Sequence, residues 1–203
     1  MKTSLIINTC SMDALAAPRK SLYANAPYGA RASLLRDKII LAACIEGWDE
    51  IFVVGSFESG KGYRYIPMQP IYRDRRDALW QRELGARHAT GDVLAFAHDD
   101  HMFAPGTLAQ LKKHPQAWWD ILVPERVDEK GNLLDNGKDA GYMGGHCLLM
   151  KRATWAAVPW TSVDTEWWDV TLTRVWKEEG AKIMWTDDLT HIDLDQVPVL
   201  AIV

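Results

Sequence analysis

Cysteine is scarce in this chain of 203 residues: Cys10, Cys44 and Cys147 are its only three, and no two of them have CxxC spacing. That count excludes a disulfide framework and a thiolate zinc site, and it suits small thiols in a reducing compartment. Long apolar runs are also missing. After Met1-Lys2-Thr3-Ser4 comes only Leu5-Ile6-Ile7, too short for a signal-peptide core or a membrane span. The expected location is the cytoplasm, with no membrane-spanning segment. Nor is there an excess of positive charge. With Lys+Arg 23 against Asp+Glu 27 the formal net charge is -4, which leaves no electrostatic footprint for general binding to nucleic acid or membranes. Repeats, low-complexity tracts and Ser/Gly linkers are absent too.

What is present is an ordinary globular composition, 48% hydrophobic and 25% charged, at a length that suits one α/β domain with a sizeable core. Tryptophan is the exception. There are ten, including the neighbours Trp118-Trp119 and Trp167-Trp168. Adjacent residues on a helix or strand point in different directions, so both members of a pair rarely enter one core. Indole faces stack on sugar rings and bases, although packing between helix and sheet is their commoner use.

Hydrophobic patterning predicts strands at 5–9, 51–54, 65–67, 93–97, 121–124, 147–150 and 182–185. Helices are predicted over 32–46, 77–88, 105–113 and 169–179, and 128–139 reads as a hairpin or a loop. The apolar 197–203 run could pair, dock or mediate oligomer contacts. Strands alternating with helices imply a mostly parallel sheet covered on both faces, in which ligands bind beyond the carboxyl ends of the strands. Thr9-Cys10, Gly55-Ser56 and Asp99-Asp100 all fall on that rim. Two adjacent carboxylates repel, and a cation shared with a phosphate relieves the repulsion. Solvated loop acids are the plainer reading of the same pair.

Three blocks in order resemble the small nucleotide-sugar-dependent glycosyltransferases of the GT-A fold, family 2 in particular. Arg82-Glu83-Leu84-Gly85, Ala89 and Gly91-Asp92 lead into the strand that ends at His98-Asp99-Asp100, similar to that family's helix before its D-x-D motif. Gly144-Gly145-His146 resembles its Gly-rich strand before the acceptor site. Trp168-Asp169, with Gly180 closing the helix, resembles the acidic helix start that carries its general base. The resemblance spans roughly 1–192. It implies one GT-A, Rossmann-like α/β domain over 1–203, with a nucleotide-sugar and metal half (1–104) and an acceptor half (105–203) that includes a small antiparallel part.

The resemblance further implies an enzyme that moves a sugar from a nucleotide-sugar donor, a UDP-sugar foremost, to an acceptor hydroxyl with inversion, using Mn²⁺ or Mg²⁺. Asp100 is expected to hold the metal directly, with Asp99 and His191 as further ligands; His98 or His101 could join them, since imidazole also accepts Mn²⁺. Thr9, Cys10, Gly55, Ser56, Glu58, Arg82 and Asp99 are expected on the donor side. Arg82 could instead be a solvated helix residue among Arg73, Arg75, Arg76 and Arg87. Asp169 is the expected general base, ahead of Glu166, and can also serve the first turn of its helix. Gly144, Gly145, His146, Trp167 and Trp168 form the expected acceptor wall. The acceptor stays open among a glycan, a lipid-linked sugar, a protein and a hydroxylated nucleobase in DNA. The chain departs from the family at His98, where the D-x-D differs, and at Val53-Val54, where an acidic pair is usual. Two other functions share the fold: a non-catalytic nucleotide or carbohydrate module, and a sugar nucleotidyltransferase. The latter is disfavoured because Cys10-Ser11-Met12-Asp13-Ala14 is neither Gly-rich nor basic.

Overall fold

The computed structural model describes residues 1–9, 35–55, 57, 59–68, 75–165 and 167–194. Among these, nine strands form one sheet. They are β1 (Thr3–Asn8), β2 (Glu50–Gly55), β3 (Arg64–Pro67), β4 (Val93–His98), β5 (His101–Phe103), β6 (Ile121–Asp128), β7 (Leu133–Leu134), β8 (Leu148–Lys151) and β9 (Ile183–Asp193). Their order is β3-β2-β1-β4-β8-β6-β9-β5, with β7 paired to β6. Pairing is parallel among β3, β2, β1 and β4 and between β6 and β9; β8 and β5 run antiparallel to their neighbours. The mostly parallel sheet is therefore the arrangement that the alternation implied, and its antiparallel part the one that the resemblance implied. The segments 1–104 and 105–203 share it, because β8 zips onto β4 and β5 onto β9.

Both faces are covered, which is why the central strands are continuous apolar runs rather than alternating ones. On one face Ile7, Val53, Ala95 and Leu149 pack with Ile39, Ala43 and Leu111. These come from a π-helical turn (Leu35–Ile40) running into α1 (Leu41–Glu46), and from α3 (Thr107–Leu111). On the other face Ile6, Phe52, Phe96 and Leu148 pack with Leu79, Leu172 and Trp176, from α2 (Arg75–His88) and α5 (Trp168–Glu178). A short α4 (Arg152–Ala157) and a 3-10 turn (Trp160–Ser162) complete that layer. Each tryptophan pair splits: Trp119 and Trp168 are buried, Trp118 and Trp167 are 68% and 64% exposed.

Three elements differ from expectation. β6 runs on to Asp128 and forms a hairpin with β7, so 121–124 is only its buried first half. β9 does not stop at Trp185 but continues to Asp193, which places Asp187, Asp188 and His191 within a strand instead of after one. Its register against β6 jumps on the way, from Pro124↔Thr186 to Glu125↔Thr190. β5 and α4 were not anticipated. The 197–203 run and Cys10 lie outside the described residues; Cys147 is buried and Cys44 exposed. Among the described residues no helix is long and apolar enough to cross a membrane.

Candidate active site

The carboxyl ends of β1 and β4 are tied to the Gly-rich turn before β8 by a polar bridge. Asn8 and His98 are register partners on the two strands. The amide of Asn8 donates to His98 Nδ1 at 2.6 Å, and His98 Nε2–H donates to the Gly145 carbonyl at 3.0 Å. A carbonyl can only accept, so this geometry selects the neutral Nε2–H tautomer. Arg82 closes the ring. Its Nε–H donates to Asn8 Oδ1 at 3.2 Å, and its Nη2 donates to the carbonyls of Gly145 and His146. Burial, and then the charge of Arg82, push His98 down to about 3, in keeping with that neutral tautomer.

Arg82 is thus neither on a solvated helix face nor on the donor surface. It is fully buried, with its guanidinium over the rings of Trp168, Trp160 and Phe96. Burial lowers its pKa to about 10, which still leaves it cationic. His98 likewise has both ring nitrogens committed, which removes it from the metal-ligand candidates.

Beyond β4 the chain turns through Asp99 and Asp100 into β5. Asp99 is buried. Asp100 Oδ1 accepts from His101 Nδ1 at 2.5 Å, so the residue expected to bind metal directly is engaged first with a histidine. On the far side of that ring, His101 Nε2 lies 3.6 Å from Asp193 Oδ2, too far for a hydrogen bond. Arg126 Nη2 donates to the same Asp193 oxygen at 2.5 Å. Antiparallel pairing sets His101 opposite Asp193 and Phe103 opposite His191, so both β9 residues share a face with His101. The His101 and His191 ring centroids are 5.5 Å apart, and the His146 ring stacks on His101 at 4.8 Å. Burial first, and then neighbouring positive charge, hold His146 and His191 well below the usual imidazole range.

Asp169 is half-buried in the first turn of α5, where its Oδ1 accepts from the Val170 N–H at 2.9 Å. Its carbonyl accepts from Thr173 Oγ1, which in turn accepts from the Met143 N–H at 2.9 Å, so the helix start is fastened to the Gly-rich segment. A Cβ placed on Gly145 would lie 3.5 Å from Asp169 Cβ and 2.7 Å from Trp168 Cη2. Glycine is what allows helix and turn to come this close. The expected base and the expected acceptor turn are therefore neighbours. Trp168 is not an exposed wall: it is 4% exposed and packs edge-on against Trp160. Trp167 faces solvent.

At the ends of β1 and β2 the packing is tight. Thr9 is buried, and its N–H donates to the Val54 carbonyl at 2.9 Å. Gly55 has φ 123°, and a Cβ there would meet Thr9 Oγ1 at 2.4 Å and Gln81 Nε2 at 2.6 Å. Cys10, Ser56, Glu58 and Glu166 lie outside the described residues. Asn8, Arg126 and Asp193 were missed from sequence. The His191-x-Asp193 alternation would have exposed Asp193 had the last strand been extended.

Among the described residues no three His, Cys, Asp or Glu side chains already converge as a ligand set. The donor chemistry nevertheless fits a divalent cation. His191 is 1% exposed, yet neither of its ring nitrogens has a hydrogen-bond partner, and the same holds for His101 Nε2. Buried polar atoms are almost always paired, so His191 and His101 suit a site in which a cation takes one nitrogen of each ring. By accepting from His101 Nδ1, Asp100 fixes the ring tautomer that leaves the Nε2 lone pair free for such an ion.

No protein-family model matches the sequence, and no curated protein matches it by sequence. Solved structures do match in fold. S. aureus TarS 1–349, also solved in complex with UDP-GlcNAc, is similar over 95% of this chain, with 11% identity and a TM-score of 0.57. The inositol-1-phosphate CTP transferase from T. maritima is similar over 96%, with 13% identity and a TM-score of 0.59. GalNAc-T7 with UDP, GalNAc and Mn²⁺ is similar over 95%, with 12% identity and a TM-score of 0.54. The chain spans 60% of the TarS fragment and 43% of GalNAc-T7, but 89% of the CTP transferase. The shared architecture is the GT-A, Rossmann-like fold.

Proposed function

We propose that this GT-A fold works as a divalent-metal-dependent glycosyltransferase that moves a sugar from a nucleotide-sugar donor, a UDP-sugar foremost, to an acceptor hydroxyl with inversion. The observation that supports it is one juxtaposition. Asp169 lies against Gly145, and the next residue, His146, stacks its ring on His101 beside Asp100 and His191. A carboxylate base and a set of cation ligands thereby share one rim, at the carboxyl ends of the strands.

The cation would be held by His101 Nε2, His191 and the Asp99-Asp100 turn, with Asp193 beside them; when bound, it offsets the negative charge that gathers on the departing diphosphate. Asp100 keeps the His101 ring oriented. Gly145 and Trp168 fix where Asp169 stands, and Asp169 accepts the proton of the attacking hydroxyl. The hydroxyl oxygen bonds to the anomeric carbon, the bond from that carbon to the diphosphate oxygen breaks, and its electron pair leaves with the nucleoside diphosphate. Thr9, Gly55 and Asp99 border the donor side of the rim, and Gly144, Gly145, His146 and Trp167 the acceptor side. The acceptor is a hydroxyl of a glycan, a protein or a modified DNA base.

Chromatography of donor reactions, with and without divalent cation and over a panel of acceptors, tests this. Cation-dependent release of nucleoside diphosphate is expected, and Asp169→Asn should remove transfer while sparing UDP binding. Pyrophosphate as the product would point to nucleotidyl transfer, the reaction class of the T. maritima CTP transferase. Nucleotide binding with no turnover of any donor would make the chain a binding module. Wild-type rates from Asp169→Asn would overturn the base assignment.

A further inference from the structure

The Gly-rich turn carries a histidine that the acceptor reading does not explain. His146 is half-buried and has no hydrogen bond to its ring, while its backbone is pinned by Arg82. The ring stacks on His101 with planes 18° apart and centroids at 4.8 Å, and lies 6.4 Å from the His191 ring. The third side of the triangle, His101 to His191, is 5.5 Å. Imidazoles that bind one ion through bonds of about 2.1 Å have ring centres about 5 Å apart. The tilted His101–His191 pair meets that spacing as it stands. An ion lies in the plane of each imidazole that binds it, so His146 must swing out of its stack on His101 about its side-chain bonds to join them. His98 is nearby too, but its nitrogens are spent on Asn8 and Gly145.

We propose that His146 is a metal ligand, forming with His101 and His191 a three-imidazole face that takes later first-row divalent ions in preference to Mg²⁺. This rests on the cation-dependent reading above and goes beyond it, because it moves His146 from the acceptor wall to the metal and states which ions the site accepts. Borderline nitrogen donors suit Co²⁺, Ni²⁺ and Zn²⁺, with Mn²⁺ weaker along the same series. Mg²⁺ demands oxygen ligands in a near-octahedral shell and gives up its water reluctantly. A buried nitrogen-rich face therefore discriminates against it. Arg126 donates to Asp193 Oδ2, which partly spends that carboxylate beside the three imidazoles.

The test uses the whole chain stripped with chelator, without any nucleotide sugar. Co²⁺ titration followed by visible absorption should show saturable uptake, displaced by Zn²⁺ and not by a hundredfold excess of Mg²⁺. His146→Gln should weaken Co²⁺ binding at least tenfold. His146→Cys should retain Co²⁺ and add a near-ultraviolet sulfur-to-cobalt charge-transfer band that the wild type lacks, a signal that only direct coordination at position 146 produces. Unchanged Co²⁺ affinity in His146→Gln, or no new band in His146→Cys, overturns the ligand assignment. Displacement of Co²⁺ by equimolar Mg²⁺ overturns the selectivity. Wild-type protein that takes up neither Co²⁺ nor Zn²⁺ overturns both. If donor cleavage then still requires Mg²⁺, the proposed function stands without this inference; if it proceeds in chelator, the metal dependence falls as well.

Discussion

The guanidinium of Arg82 lies over two indoles that meet edge-on, its central carbon 4.9 Å from the Trp168 ring centroid and 5.1 Å from that of Trp160. A buried cation with carbonyl and amide acceptors organises the turn it touches, and removing it leaves those acceptors unpaired. Arg82→Met should cost about 2–4 kcal/mol of folding stability. Arg82→Lys should recover little, since one ammonium cannot reproduce the planar fork that reaches Asn8, Gly145 and His146. Urea unfolding at neutral pH reads both; a lysine variant as stable as the wild type would contradict the bridging role.

Acid should weaken the fold through His98. Its folded pKa, near 3, lies below the unfolded value of about 6.5, so between those values the unfolded chain binds more protons. The stability it contributes is complete above about pH 6.5 and declines as pH falls toward 3, at most about 1.4 kcal/mol per pH unit. Gln carries a donor and an acceptor but does not titrate. His98→Gln should therefore flatten the fall in urea midpoint between pH 6.5 and 4. An unchanged slope would mean that His98 is not the titrating group.

Glu50 acts at lower pH. Burial by itself would raise its pKa, but hydrogen bonds from Ser4, Thr90 and Lys2 outweigh burial and hold it at about 2. A carboxylate depressed in the folded state stabilises above its unfolded pKa, and that contribution drains away as pH falls from about 4.5 to 2. Glu50→Gln should lose up to roughly 3 kcal/mol at pH 7. The deficit relative to wild type should vanish near pH 2, as measured by chemical denaturation.

Gly145→Ala separates packing from chemistry. The new methyl would meet Trp168 and push on Asp169, at a stability cost of about 1–3 kcal/mol. Under the proposed function it should lower transfer more than tenfold and leave UDP affinity within about twofold, because the donor-side strand ends are untouched. Equal losses in binding and transfer, seen by calorimetry and product assay, would argue that the turn serves the donor.

Much of the fold was legible because β1, β2 and β4 are unbroken apolar runs, and such runs announce strands covered on both faces. The upper half of β9 was not. Thr186-Asp187-Asp188-Leu189-Thr190-His191 is too polar to read as a strand, and it is polar because it carries rim residues instead of core. Asp99-Asp100 stood out as adjacent carboxylates, and Asp169 stood out at a helix start. Arg82 misled, since a helical arginine among other arginines reads as surface; only the three-dimensional meeting of Phe96, Trp160 and Trp168 shows why it is interior. Asn8 and Arg126 carry no local pattern, and their roles come from cross-strand partners far away in sequence.

The register jump in β9 works as a phase inverter. Three more residues pass on β9 than on β6 between Pro124↔Thr186 and Glu125↔Thr190, and three is an odd number. Side chains alternate every residue, so an odd surplus hands the opposite parity to the helical layer. Trp185, below the jump, packs on the layer that holds α5 and lies under Lys177, whereas Leu189, above it, packs on the opposite layer, the side where His101 meets His191 and Asp193. Deleting one residue from 187–189 would leave an even surplus and turn both side chains away from His101. Deleting two would restore them, so the length of this bulge, more than its composition, keeps the rim assembled.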